Sequence, residues 1–131
     1  PLFVPLIEEG WLEHEVTRTV AESYLSSLKG TDVDTVILGC THYPLLRGVI
    51  RTVLDEFVGP HVQIIDSASA VAGAVRDMLI GLRLRKSSGI GAQKFYVTDA
   101  PERVASVAGQ FWSTERVEAL RLEHIDLLDH Q

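Results

Sequence analysis

The sequence predicts an α/β fold, an open and mostly parallel sheet with flanking helices, on three observations. Two short apolar runs, at residues 33–38 and 62–65, each end in a small or polar turn. Each turn is followed by a stretch with helical apolar spacing, and an amphipathic stretch precedes the first run. Strand, polar turn and helix, repeated in that order, is the alternation that builds such a sheet. The turns at the carboxyl ends of the strands are where sheets of this kind bind ligands.

Leu12, Val16, Val20, Tyr24 and Leu28 recur every four positions among polar residues, which predicts a helix over 12–28 ended by Lys29-Gly30. Residues 33–38 are rich in Val, Ile and Thr and mostly apolar on both faces, as in a strand buried in a parallel sheet. Pro44 suits the first turn of a helix carrying Leu45, Leu46, Val49, Ile50, Val53, Leu54 and Phe57, which Gly59-Pro60 stops. The second run closes at Asp66-Ser67, a turn and helix cap, and Ser69 is placed to cap a helix over 70–84. Residues 83–93 read as a solvated connection; the "GIG" within them lacks the glycine pattern and following lysine of a phosphate loop. Residues 94–98 read as a strand, and Thr98 or Asp99 as the cap of a helix with Pro101 and Glu102 in its first turn, ending near Trp112. Residues 117–127 read as a closing strand. The expected domains are 1–85, a linker at 86–93, and a strand–helix–strand segment at 94–131.

The chain has 131 residues, of which 46% are hydrophobic and 23% charged, enough for one core. Its net charge of −6 and scattered Lys and Arg exclude the basic footprint of a nucleic-acid binder. No apolar span is long enough to cross a bilayer and no signal-peptide pattern is present, so the expectation is a cytoplasmic chain without membrane partners. Pro1 stands first and Met78 is the only methionine, which suggests a piece of something longer.

The only cysteine, Cys40, follows the first strand directly, and His42 lies two residues on. A thiol between a strand exit and a helix start sits where unpaired N–H groups favour an anion, and a thiolate is one. His42 could serve it as proton partner or orienting donor. The alternative, a small buried hydrophobe, stands level with the reactive reading on spacing alone. A metal site would need more ligands, and His14, His61, His124 and His130 show no matching pair. Tyr43 and Pro44 shape the turn, and Trp11 and Trp112 read as packing residues.

"LGCTHYPLL" at 38–46 resembles the second catalytic-cysteine motif of the glutamate racemases, within the aspartate/glutamate racemase family. "PLFVPLIEEGW" at 1–11, "IIDSA" at 64–68 and "FYVTDAPERV" at 95–104 resemble that family's flanking segments in the same order. The resemblance implies two pseudo-symmetric α/β domains with the site between them. It also implies cofactor-independent interconversion of L- and D-glutamate, which supplies peptidoglycan. One thiolate removes the α-proton from one face while a second thiol returns a proton to the other. By that resemblance Cys40 is the second cysteine, a catalytic and substrate-contacting residue, and Thr41 binds the substrate's charged groups. His42 assists proton transfer, and Glu8 stands beside His42, with Glu9 the neighbouring alternative. No metal or cofactor is implied.

Members of the family run about twice this length, and the motif of the first cysteine is absent here. The 131 residues alone are therefore expected to be inactive. Their tail, which in the family returns to the first domain, is expected to leave apolar faces uncovered, so that the chain dimerises, repacks or orders only in part. Two other readings stay open. One is a related amino-acid racemase, though those resemble Gly-Cys-Thr followed by Glu rather than His42. The other is a non-catalytic binding or regulatory domain that kept the fold.

Overall fold

A computed structural model describes residues 1–89, 93–112 and 121–126. Two compact units divide the chain, Pro1–Lys86 and Ser87–Gln131. The first contains α1 (Phe3–Glu8), α2 (Glu15–Leu25), β1 (Thr35–Leu38), α3 (Arg47–Phe57), β2 (Gln63–Asp66) and α4 (Ser67–Gly81). In the second, β3 (Phe95–Val97), α5 (Pro101–Ala108) and β4 (Leu122–His124) are described. β1 pairs with β2 and β3 with β4, both in parallel, as the βα alternation requires.

α1 is not signalled by periodicity in so short a stretch. It ends at "EEG", where Gly10 takes φ 76° and lets Gly10 N–H donate to Ile7 O and Trp11 N–H to Leu6 O. This is the paired closure that a left-handed residue makes at a helix end. Glu8 and Glu9 therefore stand at a helix end. α2 begins three residues later than its stripe because His14 caps it, accepting from Val16 N–H through Nδ1.

The core of the first unit lies where α1, α2 and α3 cover one face of the β1–β2 pair. Phe3, Ile7, Ala21, Leu38, Leu46, Ile50, Val53, Leu54, Val62 and Ile64 are buried there. The spacing of Leu46, Ile50, Val53 and Leu54 places the four on a single helical face, so the sequence stripe correctly marks the side that packs.

The other face differs from the sequence expectation of a strand buried on both sides. Ile37 and Ile65, partners across the ladder, are 70% and 41% exposed. α4 has no buried residue, and Val71, Val75, Met78 and Leu82, one face at spacings of four, three and four, are all exposed. A parallel strand's second face is apolar because something normally covers it, and no described residue does.

The edge of β2 away from β1 is closed by side chains. Gln63 N–H donates to Asp34 O on the β1 side, so the carbonyls of the alternating residues Val62 and Ile64 point the other way. Arg51 and Arg47, one turn apart on α3, donate to those two carbonyls. Exposed strand edges invite unwanted pairing, and these arginines occupy this one.

Two helix starts depart from expectation. Asp66, not Ser69, caps α4: its Oδ1 accepts from Ser69 N–H at 2.8 Å while Ser69 lies inside the helix. α4 ends through Arg83, held at φ 56°, with Leu84 N–H donating to Leu79 O and Arg83 N–H to Ile80 O. At α5 the N-cap is Ala100 in a left-handed conformation, with no side-chain cap from Thr98 or Asp99. Asp99 instead accepts from Ala100 N–H. Pro101 and Glu102 stand in the first turn as expected, and the helix stops at Ala108, short of Trp112, whose ring packs on Phe95 at 5.3 Å. Of the predicted closing strand, Leu122–His124 is observed; residues 117–120 and 127 lie outside the described residues.

Candidate active site

The Cys-Thr-His turn leaves the carboxyl end of β1. Leu38 is the last strand residue, Gly39 follows, and Cys40 is half-buried, neither sealed into the core nor fully in water. The α-helix start expected beside it is instead a single 3₁₀ turn, Tyr43–Leu46, with His42 as its N-cap; α3 itself begins at Arg47. Pro44 stands in the first turn of this element, where its missing N–H costs nothing. Tyr43 N–H donates to Cys40 O at 3.3 Å and Leu45 N–H to His42 O at 3.0 Å, so the turn's own backbone is bonded locally.

Glu8 reaches this turn through packing. Phe3, near the start of α1, meets Tyr43 edge-on at 5.4 Å and Tyr24 of α2 at 5.1 Å. Tyr43 thus joins the turn to α1, consistent with its reading as a turn-shaping residue. The carboxyl end of α1 then puts Glu8 Oε1 3.9 Å from His42 Nε2, with the side chains 31% and 28% exposed. That separation suits charge attraction and is too long for a hydrogen bond. On the other side of the ring, Thr41 Oγ1 lies 3.3 Å from Nδ1. If the Thr41 hydroxyl donates to Nδ1, the imidazole proton is left on Nε2, facing the carboxylate. The structure therefore brings Glu8, Thr41 and His42 together and keeps Cys40 in the same short turn. Glu9, the alternative partner, is exposed and caps α1.

Sequence reading saw Asp66 as a cap but missed its second contact. Its Oδ2 accepts from Ser69 Oγ at 3.1 Å and from Arg47 Nη1 at 3.2 Å. Arg47 is also the donor to Ile64 O, at 2.9 Å. The hydrogen bond from Ser69 N–H, with smaller help from the Ser69 hydroxyl and from Arg47, holds the Asp66 carboxyl below its ordinary 3.8 despite the opposing effect of burial. A carboxylate depressed by folding contributes stability that is complete above the unfolded value and is lost as the pH falls through the folded one. The thermal midpoint should therefore favour the native chain over Asp66→Asn at pH 6. That gap should shrink once the pH drops below 3.8. A gap that stays constant down to pH 2 would contradict the assignment.

No protein-family model matches the chain. Among curated proteins it is 46% identical to the glutamate racemase of Chlorobaculum parvum over 117 residues, 88% of this chain and 41% of that one. It is 45% identical to the glutamate racemase of Geobacter metallireducens over 112 residues, 85% of this chain and 40% of that one. The crystal structure of glutamate racemase from Thermus thermophilus, in complex with beta-chloro-D-alanine, superposes with a TM-score of 0.81 at 35% identity, covering 97% of this chain and 46% of that one.

Over most of its own length the chain is similar to one part of the glutamate racemases.

A second glutamate racemase structure, from Francisella tularensis in complex with D-glutamate, agrees at a TM-score of 0.78 and 32% identity over 95% of this chain and 44% of that one. The chain spans about two fifths of the length of the curated racemases it matches. Among the described residues, no helix is long and apolar enough to cross a membrane.

Proposed function

We propose that these residues form the part of a glutamate racemase that carries the second of two catalytic cysteines, acting in the cytoplasm to provide D-glutamate for peptidoglycan. The observation that carries the proposal is the Cys-Thr-His turn at the carboxyl end of β1 with Glu8 Oε1 3.9 Å from His42 Nε2, in a chain this similar to racemases. The Francisella relative's complex with D-glutamate supports glutamate as the substrate.

In this reading the Cys40 thiolate takes the α-proton of L-glutamate, forming an S–H bond as the C–H bond breaks and leaving the electron pair on the α-carbon. A second thiol gives its proton to the opposite face, which yields D-glutamate, and the reverse sequence returns L-glutamate. The α-proton is weakly acidic and no electron sink is invoked, so the base must be held at contact distance and shielded from water. Thr41 binds the substrate's charged groups. His42, oriented between Thr41 and Glu8, relays the proton that Cys40 gains or loses.

Cys40 is the only cysteine of these 131 residues, so the second thiol must come from outside them. A purified sample of the 131 residues should leave the optical rotation of L- or D-glutamate unchanged over hours. The same segment within a full-length racemase chain should abolish it. Turnover by the 131 residues at the rate of the full-length chain would refute the two-thiol reading. The open apolar face of β1–β2 and α4 is where the remainder of such a chain would pack, or a second copy in its absence.

A further inference from the structure

We propose that Arg47 and Asp66 act as positioning residues that close the base of the Cys40 turn, a role that rests on the reading of Cys40 given above. The segment between Leu38 and Arg47 carries Cys40, Thr41 and His42, and both its ends converge on one side chain's residue. Leu38, at its start, is the ladder partner of Asp66. Arg47, at its end, is ion-paired to Asp66 Oδ2 and hydrogen-bonded to Ile64 O. Asp66 is itself fixed from behind, by Ser69 N–H and Ser69 Oγ.

The turn is therefore a loop whose two feet are tied to one buried residue, Leu38 through the strand ladder and Arg47 through the carboxylate. Its own backbone bonds, Tyr43 N–H to Cys40 O and Leu45 N–H to His42 O, close only short rings and do not fix the turn against β2. Arg51 repeats the attachment one turn further along α3, to Val62 O, but it lies beyond the turn. It anchors the helix without controlling where the helix starts. A sulfur that must meet a carbon at contact distance tolerates little drift, and a loop closed at its base moves as one piece with the sheet.

The test is amide hydrogen exchange, residue by residue, in Arg47→Ala, Arg47→Lys and Asp66→Asn. Asparagine still caps a helix, so Asp66→Asn leaves α4 capped while removing the charge that faces Arg47. Loss of charge-assisted bonds to a buried carboxylate should speed exchange at Tyr43 and Leu45 about tenfold in Arg47→Ala and Asp66→Asn, with the amides of Val53 and Leu54 unchanged within about twofold. At one fixed pH the rate at which iodoacetamide alkylates half-buried Cys40 should move toward that of the urea-unfolded chain, and Arg47→Lys should recover part of both effects. Two results would overturn the proposal: exchange and alkylation at native values in both substitutions, or a uniform rise across α3, which is the mark of a merely structural contact. Should Arg47→Ala not fold, Asp66→Asn and Arg47→Lys decide between the same outcomes. None of these readouts is catalytic, so they stand or fall apart from the racemase assignment.

Discussion

Replacing Cys40 by serine within a full-length racemase chain is expected to lower glutamate racemisation about a thousandfold or more, in both directions. Proton transfer by a positioned side chain contributes typically about 10²- to 10⁴-fold, and in the proposed mechanism Cys40 is the base on its face of the substrate. A free thiol titrates near ~8.5, within reach of activation by its surroundings, whereas a serine hydroxyl ionises far too weakly to keep a useful anion at neutral pH. In the proposed two-thiol mechanism both directions fall together, because each cycle would use the two thiols once. The measurement is the change in circular dichroism of glutamate with time, started from each enantiomer. A variant within tenfold of the native rate would mean that His42 or another group is the base.

The second large effect concerns stability. Leu54→Ala removes a side chain that is fully buried on α3, amid Ile7, Leu46 and Val53. Deleting a buried leucine side chain costs about 2–5 kcal/mol, the lost transfer energy plus the unfilled cavity. A unit of this size is held by only about 4–13 kcal/mol in all, so the loss should bring the urea midpoint down by at least about a seventh, and by about two fifths at the middle of both ranges. Val75→Ala on α4 is the contrast. Its side chain is already exposed and alanine favours the helix, so the change should stay within about 0.5 kcal/mol. Equal costs at the two positions would mean that the core lies elsewhere than α1–α3 and the inner face of β1–β2.

The contrast also shows what the sequence discloses and what it does not. The apolar stripes of α2 and α3 mark helices by spacing, but only α3 packs on its stripe: α2 buries Thr17 and Ala21, one position beyond Val16 and Val20, and leaves Val16 and Tyr24 exposed. α4 is apolar over most of its surface, yet in these residues that surface faces water: apolar spacing tells which side of a helix seeks a partner, not whether the partner is present. β1 misleads in the same way, since Ile37 reads as core and is 70% exposed. Helix ends were legible where glycine makes them, at Gly30 and Gly59, and illegible where Arg83 and Ala100 take left-handed conformations that their types do not announce. Short elements carry too few periods to be seen, and α1, which delivers Glu8, is one of them.

At the site, local motif and tertiary contact part company. The turn 40–42 stands out in sequence because its chemistry is contiguous. The Glu8–His42 approach depends on Phe3 meeting Tyr43, an aromatic contact across forty residues that no spacing encodes; the family resemblance pointed to it. The Arg47–Asp66 pair had no such pointer. An arginine at the start of a helix looks like any solvated charge until the strand beside it is in place.

The most direct test of the central claim, that Cys40 is the base acting on L-glutamate, is the loss of deuterium from L-[2-²H]glutamate in ordinary water, followed by NMR in the full-length chain and its Cys40→Ser form. The native chain should exchange the label, and Cys40→Ser should retain it on the same time scale. Native-rate loss of the label from L-glutamate by Cys40→Ser would contradict the account.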